Sequence, residues 1–579
     1  MIGELAAPSL ERARYLECRS VLTSRLRTLS ARDRVVLLTS FGAIFLAFVP
    51  AAIRHLVTGW RPIQDDGAIS IRAWQALSLH GPSLGQYSQL STAHHVVYDL
   101  GPLEYWLLAL PVHLDPAGGA LWGAALWCVV AGIVTVVAAR AAYGSVGSVV
   151  AAITVVATAT WQIQVAINAP WNPYFGVEFY LATIACSVAA TTRDRRWWPA
   201  AVVCGSVAVQ CHDMFLLAAV LVLASGAFAL AREIRESKAA ARSVRLRWLA
   251  AGLALGAGCW IVPLLQQITG HPGNMSMVLH AGRGPRLGVL EGLRMLAASI
   301  GPFPRPDWTI IGPARYFTHD LASRSPIVGA LIFVVTAGIA AMAYRKGRRD
   351  LGNTAALALV LQLWVTMAIA IIPASRSNEN HTWQLVLLSL PAGIVTYAAV
   401  GAAILWFVKA RVAGTAWSTR HVRRRGHAGQ QGHPASSRHT GLISPALGLA
   451  GLLTVLVACT AVAQVNQVIS ERDAYGFRFE VRAVEAAVTD ITHTVHERQF
   501  VLRVRIRRHG FVHPSGESYI VAMGIAAELI PQGWRPVYRP RTTLPSYPEL
   551  ARRVSAAVPR VVVTVVSPGE VTVSQRAVR

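Results

Sequence analysis

Charged residues are scarce in this chain, and acidic residues are the scarcest. Of 579 residues, 14% are charged and only 29 are Asp or Glu, whereas 54% are hydrophobic and the mean hydropathy is +0.43. A soluble domain needs a more polar surface than this composition supplies. The composition excludes an ordinary soluble protein and predicts an all-α polytopic membrane protein.

Cysteine is also scarce, and its placement excludes a disulfide framework. The seven Cys lie in the N-terminal arm or in apolar runs, so the polar segments between and after these runs have none to pair. The net charge of +25 comes from Arg-rich clusters that flank the apolar runs. This arrangement is typical of contact with membrane lipids, and no nucleic-acid partner is expected.

Long apolar runs predict about 12 or 13 transmembrane helices, because a hydrocarbon core of about 30 Å needs roughly 20 apolar residues. Two stretches are ambiguous: 101 to 114 is short for a crossing, whereas 197 to 230 is too long for one crossing and short for two. The clear spans are 35 to 57, 119 to 139, 146 to 165, 174 to 191, 248 to 268, 326 to 343, 352 to 374, 384 to 408 and 442 to 466.

The basic clusters predict which loops stay inside the cell. The arm 1 to 34 carries seven Arg and is expected in the cytoplasm, in a multi-pass protein of a bacterial plasma membrane. Loops 58 to 100 and 269 to 325 then lie outside. Counting 101 to 114 as a crossing and 197 to 230 as two puts one basic cluster on the wrong side. At least one of these stretches must therefore be re-entrant or interfacial.

Two segments follow or interrupt the transmembrane domain of 35 to 466. The linker 409 to 441 is basic and carries His421, His427, His433 and His439; a disordered cytoplasmic linker is favoured there over a metal-binding tract. Residues 467 to 579 predict a small extracytoplasmic α/β domain, which either grips an acceptor or is a structural appendage. Its helices are expected at 478 to 496, 517 to 530 and 546 to 557, and its strands at 500 to 507 and 560 to 566.

The first external loop carries two adjacent carboxylates, Asp65 and Asp66, in the run "RPIQDDGAIS". The residues that follow predict an amphipathic helix that lies along the membrane surface, with Ile69 and Ala73 on its apolar side and Gly81 at its end. An Asp at the helix N-terminus is a natural cap, which explains Asp66. A second acid directly before it has no capping role and suggests catalysis.

These residues resemble the GT-C superfamily of membrane glycosyltransferases, which includes protein mannosyltransferases, aminoarabinose transferases and arabinofuranosyltransferases. An acidic pair opens an interfacial helix in the first external loop of these enzymes, as "QDDGAISIRAWQALSLHG" does here. "GPLEYWLLALP" is similar to their proline-led aromatic segment, and "WNPYF" to the Asp-Pro pair that opens a later helix. The resemblance covers roughly the first 320 residues. Two positions depart from it: Gly101 replaces a basic residue, and Asn172 replaces the acid.

The resemblance implies transfer of a sugar from a polyprenyl-phosphate donor to an envelope glycan, lipid or protein. Asp65 would be the general base, and Asp66 its partner for orientation or helix capping. Amides and one acid would bind the sugar or the acceptor: Asn172, Glu178, Gln266, Gln267 and Asn274. Cations of the external loops would hold the donor phosphate: His94, His95, Arg283, Arg286, Arg376 and His381.

No cofactor is expected. A monophosphate donor does not oblige a divalent cation, and Asp65 with Asp66 alone would form a poor metal cage. His212 and Asp213 lie between two apolar pieces and are either functional or simply the turn of a helical hairpin. A transporter or flippase of a lipid-linked or small polar substrate is the alternative function, and a sensor or scaffold is a third, with no signalling motif to support it.

Overall fold

A computed structural model of the chain describes most of the helical domain and much of the C-terminal domain. The described residues are 29–79, 81–88, 91, 96–166, 170–192, 194–280, 285–300, 325–371, 389, 391–404, 406–408, 451, 453–458, 460–461, 478–506, 514–538, 558–567 and 570–576.

Helices account for the first two thirds of the chain. Eight helices in the described part are long and apolar enough to cross a membrane, the last of them at Pro391–Val408; the predicted span 442 to 466 lies largely outside that part. In chain order the helices are α1 (Ala31–Val57), α2 (Gln64–Gln75), α3 (Leu103–Leu114), α4 (Gly119–Ala166), α5 (Asn172–Thr192), α6 (Trp197–Cys211), α7 (Leu216–Glu236), α8 (Ala239–Thr269), α9 (Asn274–His280), α10 (Val289–Ile300), α11 (Pro326–Arg345) and α12 (Arg349–Ala370).

The long helix α4 is two antiparallel arms joined at Gly144. That residue has φ of 68° and ψ of −153°, a conformation that suits glycine. Gly147 lies against the carbonyl of Ala139, so that a Cβ on Gly147 would come within 2.3 Å of that oxygen. In a straight helix, residues eight apart are about 12 Å from each other. The chain therefore reverses at Gly144, between the predicted spans 119 to 139 and 146 to 165.

Helix α3 begins and ends at the same end of the helix bundle. Near its start, the Tyr105 hydroxyl donates to Gln86 Oε1 in the first loop. At its end, the His113 ring stacks on Trp74 of α2, with 4.2 Å between ring centroids. The next helix then starts against the end of α1, where a Cβ on Gly118 would come within 2.4 Å of Leu56 Cδ2. The stretch 101 to 114 is therefore the one that does not cross.

The predicted cytoplasmic clusters gather at the opposite end of the bundle. The stretch 197 to 230 forms two antiparallel helices, α6 and α7, joined by a 3-10 turn at Asp213–Phe215. Arg195, which precedes α6, pairs there with Glu233 at the end of α7. Asp33 at the start of α1 pairs with Arg140 near the reversal in α4, at 3.3 Å. With α3 removed from the crossings, the helix count no longer puts the basic residues that follow α5, α7 and α11 on different sides; the basic linker 409 to 441 lies outside the described residues.

The C-terminal domain is a four-stranded sheet with two helices. The helices are α13 (Arg478–Thr494) and α14 (Pro514–Leu529). The strands are β1 (Gln499–Ile506), β2 (Arg535–Tyr538), β3 (Arg560–Ser567) and β4 (Glu570–Arg576), in the order β2-β1-β3-β4. β1 is parallel to β2 and β3, and β4 is antiparallel to β3. This agrees with the predicted α/β domain; the predicted helix 546 to 557 lies outside the described residues.

Helix α2 is enclosed between the two domains. Ile69 and Ala73 pack into the transmembrane core, which confirms the apolar face predicted for them. Ala68 and Ile71 instead join the core of the C-terminal domain, together with residues of α13 and α14. The predicted end at Gly81 is wrong: the helix ends at Gln75, six residues earlier. This helix therefore has two buried apolar faces, one against each domain, rather than one face toward the lipid.

Candidate active site

The acidic pair lies in the first turn of α2. Both side chains are partly buried. The N-cap residue is Ile63, which makes no side-chain capping bond, so the expectation that Asp66 caps the helix is wrong. Gln64 has φ of 52°, a left-handed conformation that costs a non-glycine residue of order 1 kcal/mol. The chain thus turns sharply just before the two carboxyl groups, and this turn, rather than a cap, sets where they lie.

Asp65 accepts hydrogen bonds from two neighbouring segments. The Trp171 indole N–H donates to Asp65 Oδ2 at 3.1 Å. The Gln86 side chain also bonds to Asp65, and the Tyr105 hydroxyl donates to Gln86 Oε1 at 3.1 Å. Asp65 is therefore fixed in orientation by the first external loop, by α3 and by the residue that precedes α5.

The two carboxyl groups differ in acidity. Burial raises the pKa of Asp65, while the bonds from Trp171 and Gln86 lower it in part. Burial raises the pKa of Asp66 much further, and the negative charge of Asp65 adds to that rise. In a close pair of this kind, one group ionises first. The environment favours an ionised Asp65 beside a protonated Asp66.

A third acid, Asp99, was missed in the sequence; it is linked to Asp65 through Gln86, whose carbonyl accepts the Asp99 N–H at 2.7 Å and whose side chain bonds to Asp65. It is 1% exposed, and its Oδ2 accepts from the Asn172 amide at 2.7 Å. Asn172 also donates to the Cys211 carbonyl at 2.8 Å. Burial raises the pKa of Asp99 to about 8, and the charge of His212 opposes the rise. Asn172, which departs from the GT-C pattern by replacing an acid, thus donates a hydrogen bond to Asp99.

His212 and Asp213 form the turn between α6 and α7 and face the first external loop. The Asp213 backbone N–H donates to Asp99 Oδ1 at 3.0 Å, and the Ser88 hydroxyl donates to Asp213 Oδ2 at 2.7 Å. Burial alone would lower the pKa of His212, but the charges of Asp99 and Asp213 outweigh it and raise that pKa. The pair is both the predicted hairpin turn and a part of the polar cluster.

Two further buried charged residues were not predicted. Arg72 is 2% exposed, and its guanidinium donates to the carbonyls of Leu84 and Gly85 while it lies over the Tyr98 and Tyr105 rings. Glu104, also 2% exposed, opens α3. Burial raises its pKa well above the ordinary value, and the charges of Asp99 and Asp66 add to the rise. The loop before α3 is therefore organised around Arg72, which joins residues 84 and 85 to the Tyr98 and Tyr105 rings.

The predicted amides of the second external loop bind protein groups. Asn274 donates to the Tyr98 carbonyl at 2.8 Å and accepts from the Tyr98 N–H at 3.0 Å. Gln266 accepts from the Asn274 N–H, and Gln267 exchanges hydrogen bonds with Ser276. Asn274 thus connects the start of α9 to the loop before α3, whereas Gln266 and Gln267 connect the end of α8 to α9.

The other predicted site residues are separated from this cluster or fall outside the described part of the chain. Glu178 is fully buried within α5, and neither of its oxygens has a hydrogen-bond partner among the described residues. The Arg286 guanidinium donates to the Ile371 carbonyl at 2.6 Å. The remaining phosphate candidates lie outside the described residues: His94, His95, Arg283, Arg376 and His381.

The cluster is suited to proton transfer at a membrane surface. An ionised carboxylate that is held by two donors and is partly open to solvent can accept a proton from a bound hydroxyl. Protonated neighbours can donate hydrogen bonds to charge that develops nearby. The arrangement thus combines one hydrogen-bonded carboxylate with neighbouring carboxyl groups whose pKa is raised by burial.

No protein-family model and no curated protein matches the chain. Among solved structures, ArnT from Cupriavidus metallidurans in the apo state is similar, with 14% identity, a TM-score of 0.47 and coverage of 92% of this chain and 93% of that one. Arabinosyltransferase EmbB from Mycobacterium smegmatis is similar at 16% identity and a TM-score of 0.31, over 78% of this chain and 43% of that one. At these scores and identities, the likeness carries neither activity nor site residues to this chain.

Proposed function

We propose that this protein is a membrane glycosyltransferase, with Asp65 as the general base, that moves a sugar from a polyprenyl-phosphate donor to a cell-envelope acceptor. The observation that carries the proposal is the unequal carboxyl pair at the start of α2. Asp65 is held by Trp171 and Gln86 at one end of the apolar bundle, beside Asp66, whose pKa is the more strongly raised. Lipid-linked donors present their sugars at this level of a membrane protein.

The chemistry of such a transfer needs few groups. The acceptor hydroxyl attacks the anomeric carbon, the bond from that carbon to the phosphate oxygen breaks, and the polyprenyl phosphate leaves. The Asp65 carboxylate takes the hydroxyl proton. General-base catalysis of this kind raises the rate by a factor of roughly 10² to 10⁴. The transition state resembles an oxocarbenium ion, with charge building on the departing phosphate. A protonated Asp66 would leave Asp65 as the one charged base of the pair.

The donor phosphate would be bound by cations of the external loops. These are the residues predicted from the sequence: His94, His95, Arg283, Arg286, Arg376 and His381. Arg286 supports this assignment because its bond to the Ile371 carbonyl fixes it at the end of α12, and an anchored guanidinium can keep its other N–H groups for a phosphate.

The external position of the site follows from charge. The Arg-rich ends of α5, α7 and α11 lie opposite the acidic pair, and basic loops remain in the cytoplasm. The N-terminus would then be cytoplasmic and the C-terminal domain extracytoplasmic. Carriers usually place acids near the bilayer midplane. The acids of the candidate site lie at one end of the bundle, apart from Glu178, which favours the enzyme.

Transfer by the purified protein tests the proposal. The full-length chain, reconstituted in lipid, would be given a panel of lipid-phosphate pentoses and hexoses with envelope acceptors. We expect turnover with at least one donor, and a loss of roughly 10² to 10⁴ in rate for Asp65→Asn, because the amide cannot accept a proton. Asp115→Asn is the matched control, since its amide oxygen can still accept the Gly118 N–H.

Two results would contradict the proposal. Wild-type protein that is correctly inserted and yet inactive across the panel would argue against a glycosyltransferase. Near-normal turnover by Asp65→Asn, with Asp115→Asn also active, would keep the enzyme class and remove Asp65 as the base.

A further inference from the structure

Asp99, His212 and Asp213 form a compact cluster of metal-ligand type. One ligand atom from each residue lies within 4.8 Å of the others. The residues come from two distant segments, the end of the first external loop and the turn between α6 and α7. Asp99 is buried, whereas 12% of the His212 side chain and 13% of the Asp213 side chain stay exposed. An ion can therefore reach the cluster from the loop side.

The hydrogen-bond pattern leaves a place for a cation. His212 Nδ1 has one lone pair in the ring plane, which accepts the Met214 backbone N–H at 3.1 Å here and would leave that bond to bind an ion. The same nitrogen lies 3.1 Å from Asp213 Oδ1, which is also an acceptor. Two acceptors face each other stably only when a proton or a metal ion lies between them. Two cis ligands of an ion with metal–ligand distances of about 2.1 Å are roughly 3.0 to 3.4 Å apart, which fits this separation.

The surroundings supply further carboxyl groups. Asp65, Asp66 and Glu104 lie at the same end of the bundle as the cluster. Glu104 is 2% exposed, its Oε1 has no hydrogen-bond partner in the described part of the chain, and it is close enough to Asp99 to feel its charge. Buried carboxylates need protons, cations or a metal for compensation.

We propose that Asp99, His212 and Asp213 bind one divalent transition-metal ion, Mn²⁺ or Zn²⁺. One imidazole with two carboxylates suits these ions better than Mg²⁺ or Ca²⁺, which prefer oxygen ligands alone. The ion would tie the first external loop to the α6–α7 turn. Ser88 and Asn172 orient the two carboxylates through hydrogen bonds to Asp213 and Asp99. The sequence led us to expect no stable metal in this protein, and this proposal departs from that expectation.

Metal content tests the proposal without an activity assay. The full-length protein would be stripped with EDTA in detergent, dialysed against limiting Mn²⁺ or Zn²⁺, and analysed by plasma mass spectrometry. We expect about one ion per chain, and background content in His212→Gln and Asp213→Asn. Asp194→Asn, an acid at the other end of the bundle, and Asp65→Asn should keep the ion. Retention by Asp65→Asn separates this site from the proposed base.

Two further measurements protect against variants that fail to fold. The ion should raise the melting temperature of the wild-type protein and leave that of Asp213→Asn unchanged, because only a binding-competent native state gains from the ligand. Ser88→Ala keeps all three ligands and should weaken apparent metal affinity by roughly tenfold. In the Mn²⁺ form, pulsed electron paramagnetic resonance should show imidazole nitrogen coupling that is lost in His212→Gln.

The opposite results are equally definite. If stripped wild-type protein takes up no ion above the His212→Gln background, or if Asp194→Asn loses as much ion as Asp213→Asn, the proposal fails. The His212 and Asp213 contact is then an ion pair in which a proton fills the place between nitrogen and oxygen.

Discussion

At Gly67, the C-terminal domain is in close contact with the helix that carries Asp65. A Cβ on Gly67 would lie 3.1 Å from the Met523 carbonyl carbon and oxygen and 3.2 Å from its Cβ. Two of these atoms belong to the backbone of α14, so a rotamer change cannot relieve the contact. Gly67→Ala should therefore push α2 and α14 apart by a few tenths of an ångström.

The size of the effect follows from this displacement. Overpacking of a closely packed contact costs about 1 to 3 kcal/mol. A misplacement of about 1 Å at a catalytic site costs roughly 10² in rate, so a shift of about half that should lower turnover roughly tenfold. Gly338→Ala is the control: it is also a helical glycine, but nothing lies within 4 Å of its added Cβ. That control should be unchanged or slightly more stable, by about 0.5 to 1 kcal/mol.

Reconstituted Gly67→Ala and Gly338→Ala should be compared with the wild type in sugar transfer and in thermal melting. We expect Gly67→Ala to lose turnover while the transmembrane domain stays folded and inserted. If Gly67→Ala transfers sugar at the wild-type rate, the fit between α14 and α2 does not position Asp65, and the C-terminal domain has another role.

Three further predictions concern the pH profile, the stability and the topology. The transfer rate should rise with pH as Asp65 loses its proton. Trp171→Phe removes a hydrogen bond worth about 1.5 to 3 kcal/mol to a charged acceptor, so it should move the midpoint of this pH–rate profile upward by roughly 1 to 2 pH units. An unchanged midpoint would refute the role of that bond. Asn172→Ala should lower the free energy of unfolding by about 1 to 3 kcal/mol, measured by melting, because it removes the donor to Asp99 Oδ2 and leaves, among the described residues, only the Asp213 N–H on Oδ1. Tags at residues 430 and 579 should be accessible from opposite sides of the membrane, and labelling of both from one side would overturn the proposed orientation.

The helix that follows the acidic pair was predictable because its pattern is local. Apolar residues at helical spacing identified Ile69 and Ala73 as the apolar side of the helix, which packs into the transmembrane core rather than against lipid. Its second buried face was not predictable from the same pattern. Ala68 and Ile71 pack against residues more than 400 positions later in the chain, and Gly67 is needed only because Met523 approaches it. Contacts of such separation leave no periodic signal in the sequence.

The site was predictable in part for a similar reason. Asp65 and Asp66 stand out as a pair of acids in a chain that has few, and the breaks in hydropathy marked His212 and Asp213. Asp99 lies in "YDLGP", a run with no motif of its own. It becomes part of the polar cluster only because the fold brings Asn172 and the α6–α7 turn to it. Burial and neighbours, rather than spacing, therefore define the rest of the site.

The central claim is tested most directly by the chemical step itself, in a single-turnover reaction with saturating donor. Wild-type protein and Asp65→Asn should bind the lipid-phosphate sugar equally well, whereas transfer should slow by roughly 10² to 10⁴ in the variant. If Asp65→Asn binds donor and transfers sugar at the wild-type rate, Asp65 is not the base, and the account of this site is contradicted.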